Sequence, residues 1–294
     1  MNYNNKRKIR IFVELIIAFF IIFPVNKCSQ NKKENDWTID DLKGKVKSFT
    51  EVPYEAVELL GTIEKGKRKK EFGTEYWSLK KYDESGKTIE LDHNYSDSSL
   101  NNRHIYKYDK DGNQIEEDMF LNDGSLYNKY TCKYDKNKNL LEKKWHLQDG
   151  SLYLRYKYKY DEKGNKIEED CCFSDGSLLS RNTFKYDKMG NQIEENSYDS
   201  DGVLNSSDSH KYDKQGNQIE VDRYNSDGSL KSKDTYKHND NGNQIENNKY
   251  NSDDSLNREH TYKYEYDKNG NWIKKTVFIN KIAKSIIERE YQYY

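Results

Sequence analysis

Two residue patterns in this chain invite a chemical reading. The segment Asp-Lys-Asp-Gly-Asn-Gln-Ile-Glu-Glu, Asp109–Glu117, spaces acids and an asparagine as a calcium loop would. Such a loop needs glycine at its sixth place and an apolar residue at its eighth. Here Gln114 is sixth and Ile115 seventh, so the segment reads as turn chemistry rather than a cation site. Acid pairs recur as Glu116–Glu117, Glu168–Glu169 and Glu194–Glu195. General acid–base catalysis needs one pair in a distinct, desolvated place. A pair repeated along a sheet reads instead as a solvated surface that discourages association.

The other reactive types are no more concentrated. His93, His104, His146, His210, His238 and His260 show no paired ligand spacing, and three of them, His146, His210 and His238, fill slots that hold aromatics elsewhere. Cys132, Cys171 and Cys172 read as free thiols in packing positions, with no zinc spacing. There is no glycine-rich phosphate loop and no Gly-x-Ser-x-Gly element. The expectation is a chain that is not an enzyme, with no metal and no cofactor. The residues left to carry function are aromatic. Tyr108, Tyr134, Tyr160, Tyr186, Tyr212 and Tyr266 precede a turn acid in successive copies of one pattern. A stripe of such rings, with Trp145 or Trp272, could stack on sugars or grip a protein. It could equally be the sheet's own stabilising surface.

What positions these rings is a repeat of 26 residues. Its turn glycines are Gly86, Gly112, Gly164, Gly190, Gly216 and Gly242, with Lys138 in the one missing place and Gly270 after a two-residue insertion in the run Tyr262 to Tyr266. Leu100, Leu126, Leu152, Leu178, Leu204, Leu230 and Leu256 keep the same step. Each copy holds two turns, Tyr-Asp-x-x-Gly-Asn and one like Tyr224–Leu230, separated by stretches rich in Tyr, Ile, Thr and charge. Glycine supplies the positive φ of a type I turn with a glycine bulge, and Asp or Asn bonds the turn backbone. The fold expected is all-β, an elongated antiparallel β-meander, solenoid-like, of two-strand repeats. Roughly 16 strands would extend about 75 Å if the sheet stayed open. The apolar residue after each first turn, Ile89, Ile115, Leu141, Ile167, Ile193, Ile219, Ile245 or Ile273, should form a second ladder beside the tyrosines.

Composition fits a thin, wet sheet: 33% of residues are hydrophobic, 26 are tyrosine, and the net charge is −1. No sustained basic stripe is present, which argues against nucleic acid. The start of the chain is different. Lys6, Arg7, Lys8 and Arg10 precede an apolar run from Ile11 to Val25, interrupted by Glu14 and followed by Cys28. This reads as a lipoprotein-type export signal over residues 1–27, with Cys28 the lipidated residue, although Lys27 stands where a small residue is usual. Plain secretion and an uncleaved anchor are the alternatives. A polar tether over 28–36, an N-terminal capping segment over 37–79, repeats over 80–272 and capping strands over 273–294 complete the expected organisation. The location implied is the cell envelope, lipid-anchored, facing the periplasm or the outer surface.

The runs YDKDGNQIEED (Tyr108–Asp118), YDEKGNKIEED (Tyr160–Asp170) and YDKQGNQIEV (Tyr212–Val221) resemble the YD repeats of the RHS family over about residues 80–272. The opening DLKGKVKSFTE (Asp41–Glu51) and the ending at Tyr264–Tyr294 also look like small exported repeat lipoproteins of unknown function in Bacteroidetes-like bacteria. The RHS resemblance implies a surface protein, sometimes called sugar-binding, or part of a shell around a toxin. The chain departs from it in a longer period, a length short for an enclosing shell, and an ending without a toxin domain. The function expected is an exported, membrane-anchored repeat protein presenting a tyrosine-rich surface to a glycan or other cell-surface polymer. A protein partner or immunity-like role, or an RHS-type toxin-associated fragment, are the alternatives.

Overall fold

The computed structural model describes residues 35–98 and 101–294. The export signal, Cys28, most of the tether and Leu100 lie outside the described residues. A short helix α1 (Asp36–Ile39) leads into β1 (Val46–Leu59), β2 (Thr62–Arg68), β3 (Lys70–Glu71) and β4 (Thr74–Tyr82). The meander continues as β5 (Thr88–Tyr95), β6 (Asn102–Tyr108), β7 (Gln114–Leu121), β8 (Leu126–Tyr134), β9 (Leu140–Leu147) and β10 (Leu152–Tyr160). It goes on as β11 (Lys166–Phe173), β12 (Leu178–Tyr186), β13 (Gln192–Asp199), β14 (Leu204–Tyr212) and β15 (Gln218–Asn225). It ends as β16 (Leu230–His238), β17 (Gln244–Asn251), β18 (Leu256–Tyr266), β19 (Trp272–Ile279) and β20 (Ile282–Tyr293).

The sheet does not stay open. From β4 to β20 each strand pairs with the next, and β1 then pairs with both ends. Phe49 lies opposite Tyr291 on β20 and opposite Lys80 on β4. The result is a closed barrel of 18 strands within 20, in place of the elongated sheet expected from the repeat. The cause is curvature that adds up. Each strand pair turns by roughly 20–25°, and every hairpin from β4 to β20 except β5–β6 also carries a register slip, which increases twist and bend. Closure removes both free edges.

One bulge follows every first turn. On β6–β7, Lys107 pairs with Glu116 and Tyr108 with Gln114, leaving Ile115 as the extra residue. The same slip isolates Ile167, Ile193 and Ile219. The apolar positions after the turns are therefore bulge residues, exposed at about 38%. The turns themselves are held by their acids. Asp109 Oδ1 accepts from the N–H of Asp111 and Asn113, and Gly112 N–H donates to Asp109 O. Gly112 has φ +85°, and Lys138, in the glycine place, has φ +69°. In the second turn the working acid is the residue just before glycine: Asp227 accepts from Ser229 N–H at 2.9 Å.

Strand pairing fixes two walls. One carries Tyr106, Glu117, Tyr130, Trp145 and Leu154 in a continuous row. The other carries Lys107, Glu116, Lys133, Glu142, Lys159 and Glu168. The first is the more buried, with Leu154 2% and Trp145 7% exposed, while the lysines Lys159, Lys211 and Lys237 are 63–67% exposed. Side chains converge on the concave side of a barrel, so the tyrosine row faces inward.

The seam is locked from both termini. Asn35 caps α1, and Asp36 and Asp40 reach the inward row, bonding Thr88 N–H and the pair Lys80 and Tyr82. A Cβ on Gly86 would lie 2.6 Å from the Trp37 ring, so this turn is closed over by α1. On the other side Asn271 bonds both the N–H and the C=O of Lys43. Tyr294 OH donates to Tyr82 O.

Candidate functional site: the inner wall

The six tyrosines singled out by the repeat lie on the inner side, but most of their hydroxyls are already used. Tyr134 OH donates to Gln114 O at 2.8 Å, and Tyr160 OH to Leu140 O at 3.0 Å. Tyr186 OH bonds Lys166 O at 2.8 Å, Tyr212 OH bonds Gln192 O at 2.7 Å, and Tyr108 OH bonds Thr88 O at 2.7 Å. Each acceptor opens the bulged stretch after the preceding first turn. The tyrosine thus satisfies backbone where the ladder slips, and ties one repeat to the next. After the two-residue insertion this role passes from Tyr266 to Tyr264, which donates to Gln244 O at 2.9 Å. Tyr266 instead accepts from Asn239. Burial holds Tyr108 and Tyr134 well above the usual phenol range. The turn glycines Gly86, Gly164, Gly190, Gly216, Gly242 and Gly270 all have positive φ and sit in first turns, away from this wall.

The rest of the inner wall changes around the ring. From β8 to β11 it is aromatic and apolar: Tyr130, Trp145, Leu154 and Cys171 form one buried cluster, with Tyr130 and Trp145 ring centroids 5.6 Å apart. Beside it on β5–β9 runs a polar chain. The rings of His93 and His104 are 5.9 Å apart, His104 Nδ1 lies 3.0 Å from Glu117, and Glu117 lies 3.7 Å from Lys143. Burial and the neighbouring His104 push His93 down to about 4, so it is neutral at pH 7. Burial alone would raise Glu117, but His104 and Lys143 bring it below the usual carboxylate range.

From β12 to β14 the wall sets buried Phe184 on β12 beside small and acidic groups. Ser197 faces Ser206, and Glu195 faces Asp208, two carboxyls directly across strands. Both are held above their usual range, mainly by burial. From β17 to β20 the wall is basic. Lys249 faces Arg258, Lys275 faces Tyr264, and Arg289 lies 3.8 Å from the Trp272 ring and 2.8 Å from Glu51. Lys249 is exposed and Lys275 half-buried. Rings of roughly 16–18 strands are wide enough to leave an aqueous interior, and these groups lie on the inward side of this one.

Burial raises the Cys132 thiol and pushes Cys171 up to about 12, so neither is a ready nucleophile. Cys132, Cys171 and Cys172 are unbridged. Among the described residues no three metal-ligating side chains converge. The acid pairs divide between walls: Glu116 faces out to Lys107, Glu117 in to His104.

The outer wall is built from one ion pair, repeated. Lys81–Glu90, Lys107–Glu116, Lys159–Glu168, Lys185–Glu194, Lys211–Glu220 and Lys237–Glu246 occupy the same slots. A membrane-spanning barrel needs an apolar outward band, and a lysine at mid-bilayer costs about 2–4 kcal/mol. The outward slots named here carry paired charge in place of such a band. Sequence reasoning missed the division between walls, although the signal was in the repeat. At steps of 26 residues, Lys107, Lys133, Lys159, Lys185, Lys211 and Lys237 never vary, whereas Met119, Trp145, Cys171, Ser197, Arg223 and Lys249 never repeat.

No family model matches the chain, and no curated protein matches it. Among solved structures, a porin-like protein from Bacteroides uniformis aligns over 85% of this chain and 99% of its own, at 10% identity and TM-score 0.45. A porin-like protein from Bacteroides vulgatus aligns over 84% of this chain and 99% of its own, at 16% identity and TM-score 0.40. A chain of the Photorhabdus luminescens Tc holotoxin pore aligns over 76% of this chain and 12% of its own, at 14% identity and TM-score 0.36.

Proposed function

We propose that this protein is an exported, non-enzymatic binding barrel, tethered through lipid on Cys28, that holds a guest against its inner wall. One observation carries the reading: turns and outer ion pairs repeat, while the inward slots differ from copy to copy. Uniform subsites would suit a polymer read in identical steps around the ring. A wall that passes from aromatic through acidic to basic suits one guest held in one orientation. A glycan is the guest class the inward rings favour, since rings such as Tyr130 and Trp145 offer apolar faces with polar edges. The RHS-like turns fit an exported repeat protein of this kind.

The test is to block the inside and compare it with the outside. Ser197 faces inward across from Ser206, while Ser207 faces outward across from Asn196. A glycan array and a pull-down on the full-length chain, each repeated with Ser197→Trp and Ser207→Trp, separate the two walls. The reading expects loss of bound guest for the inward change alone. Loss only for the outward change would move the function to the outer surface. Fatty-acid labelling of wild type against Cys28→Ala tests the tether, and equal labelling would refute it.

A further inference from the structure

We propose that the basic stretch of the inner wall, running from Arg258 along β18 to Lys275 on the neighbouring β19, is a subsite for a linear acidic oligosaccharide. The proposal rests on the reading of the interior as the binding surface and gives that surface a ligand class.

The cations here are left over, not consumed. Lys249 and Arg258 lie directly opposite one another, an arrangement that destabilises a sheet. Among the described residues neither has a carboxylate within ion-pairing distance. The acid next to Lys249 across the other strand is Asp234, and its carboxylate is already bonded to Arg223 Nη1 at 2.5 Å. At the far end, Lys275 Nζ lies 4.7 Å from the ring centroid of Tyr262 and 5.8 Å from that of Tyr264, and among the described residues it too makes no ion pair. Glu51, the inward acid whose charge acts on Lys275, is bonded to Arg289 at 2.8 Å. On the outer side of the same two strands the pattern is the ordinary one, with Lys274 paired to Glu265 at 2.8 Å. Inward cations with no carboxylate in ion-pairing distance among the described residues, on a concave wall that focuses their field, are an attraction for an anion.

Between the cations the wall is made of rings. His260 stacks on Tyr262 with centroids 6.3 Å apart and planes 18° apart. Arg258 and Tyr264 are six residues apart on one strand, about 20 Å. A polymer lying along β18 would meet positive charge at each end and flat amphipathic faces between. That spacing suits a sugar chain with separated carboxylates or sulfates. A nucleic-acid strand carries a phosphate at every nucleotide, denser than these cations and closer to the neighbouring Asp234 and Glu51. A peptide docking by strand addition needs a free edge; the closed ring has none at β18, and the one-sided strands are the outlying β2 and β3. The slots concerned are also where the repeat departs furthest from itself: Arg258 stands where Ser180, Ser206 and Ser232 stand in earlier copies.

The experiment uses the full-length chain in detergent, titrated calorimetrically with oligogalacturonates of increasing length and with neutral oligosaccharides of the same lengths. Single-stranded oligodeoxynucleotide and poly-glutamate serve as the other polyanions. The proposal expects acidic sugars to bind more tightly with length and more weakly with salt. Arg258→Gln with Lys275→Met should weaken them at least tenfold, Lys275→Arg should restore affinity, and the outward Lys237→Gln should leave it unchanged. Matching melting curves show that the variants fold; a variant that does not fold is replaced by Lys249→Gln, for which the same loss is expected. Acidic and neutral sugars bound equally, or acidic sugars indifferent to Arg258 and Lys275, would overturn the track while leaving an interior binding site. Preference for the oligonucleotide or poly-glutamate would overturn the sugar assignment. No binding of any probe would overturn the track, while a guest lost in Ser197→Trp would still uphold the interior reading.

Discussion

The two walls of this barrel are made from the same strands and obey different rules. Outside, an exposed lysine paired to a half-buried glutamate recurs along most of the repeat, as in Lys185–Glu194 and Lys211–Glu220, with Glu142 turned to Lys144 instead. Inside, an apolar cluster, a histidine–glutamate chain, a carboxyl pair and an unpaired basic stretch follow one another around the ring. Repetition on the outer face keeps opposite charges in register and the surface soluble. Variation on the inner face is compatible with the fold because turns, bulges and the tyrosine-to-carbonyl bonds recur in each repeat whatever the remaining inward slots carry. A repeat protein can therefore present an asymmetric site.

The largest effect should come from the apolar sector of the inner wall. Leu154 is 2% exposed and packs with Tyr130, Trp145 and Cys171. Leu154→Ala should cost about 2–5 kcal/mol by chemical denaturation, while the outward Thr183→Ala should change little. Equal small effects would mean that the inner cluster is loose and the contrast between walls is only one of polarity. Next comes the bond that joins repeats. Tyr212→Phe removes the donor to Gln192 O and should cost about 0.5–1.5 kcal/mol. A neutral result would show that water replaces the hydroxyl at the bulge and that the inward tyrosines are free for ligands.

The inner carboxyl pair should respond with the opposite sign. Glu195 and Asp208 face one another, and both are held above the usual range, first by burial. The folded state therefore keeps its protons to higher pH than the unfolded state. Stability is lost as pH rises from the ordinary carboxyl range through the raised folded value, and the penalty is complete above it. Glu195→Gln should then raise the melting temperature at pH 7, by about 0.2–1 kcal/mol of stability for like charges across strands. The gain should vanish below the ordinary carboxyl range. A destabilised variant at neutral pH would mean that Glu195 is paired in solution, and the acidic sector would lose its distinct character.

Much of the architecture was legible in the sequence. Gly112 and Asp109 named their turn, and Lys138 was identified as filling a glycine place. Closure was not legible, because it depends on curvature accumulated over many strand pairs and on β1 meeting both β4 and β20, pairings with no local signature. The faces were hidden by the bulges: Ile115 breaks the alternation between Gln114 and Glu116, so counting by twos fails at each turn. Tyr108 and Tyr212 were visible as a ladder, but an aromatic column looks the same whether its hydroxyls meet ligand or backbone. What could have been read is the contrast between fixed and varying columns of the repeat, Lys107 to Lys237 against Met119 to Lys249.

The smallest effect should be on the outer wall, and it decides whether that wall is the bland one. Lys211 is 63% exposed and pairs with Glu220 at 2.5 Å. Exposed pairs couple by about 0.2–1 kcal/mol, because water already solvates both charges and holding two long side chains costs entropy. A double-mutant cycle with Lys211→Ala and Glu220→Ala should return a coupling in that range, falling as salt is added. The mechanism is the same Coulomb attraction that would be strong inside, and only solvent separates the two cases. A coupling well above 1 kcal/mol that persists in high salt would mean that this face is covered, by another copy or a partner. The outer repeat would then be the interface, and the varying inner wall merely its filling.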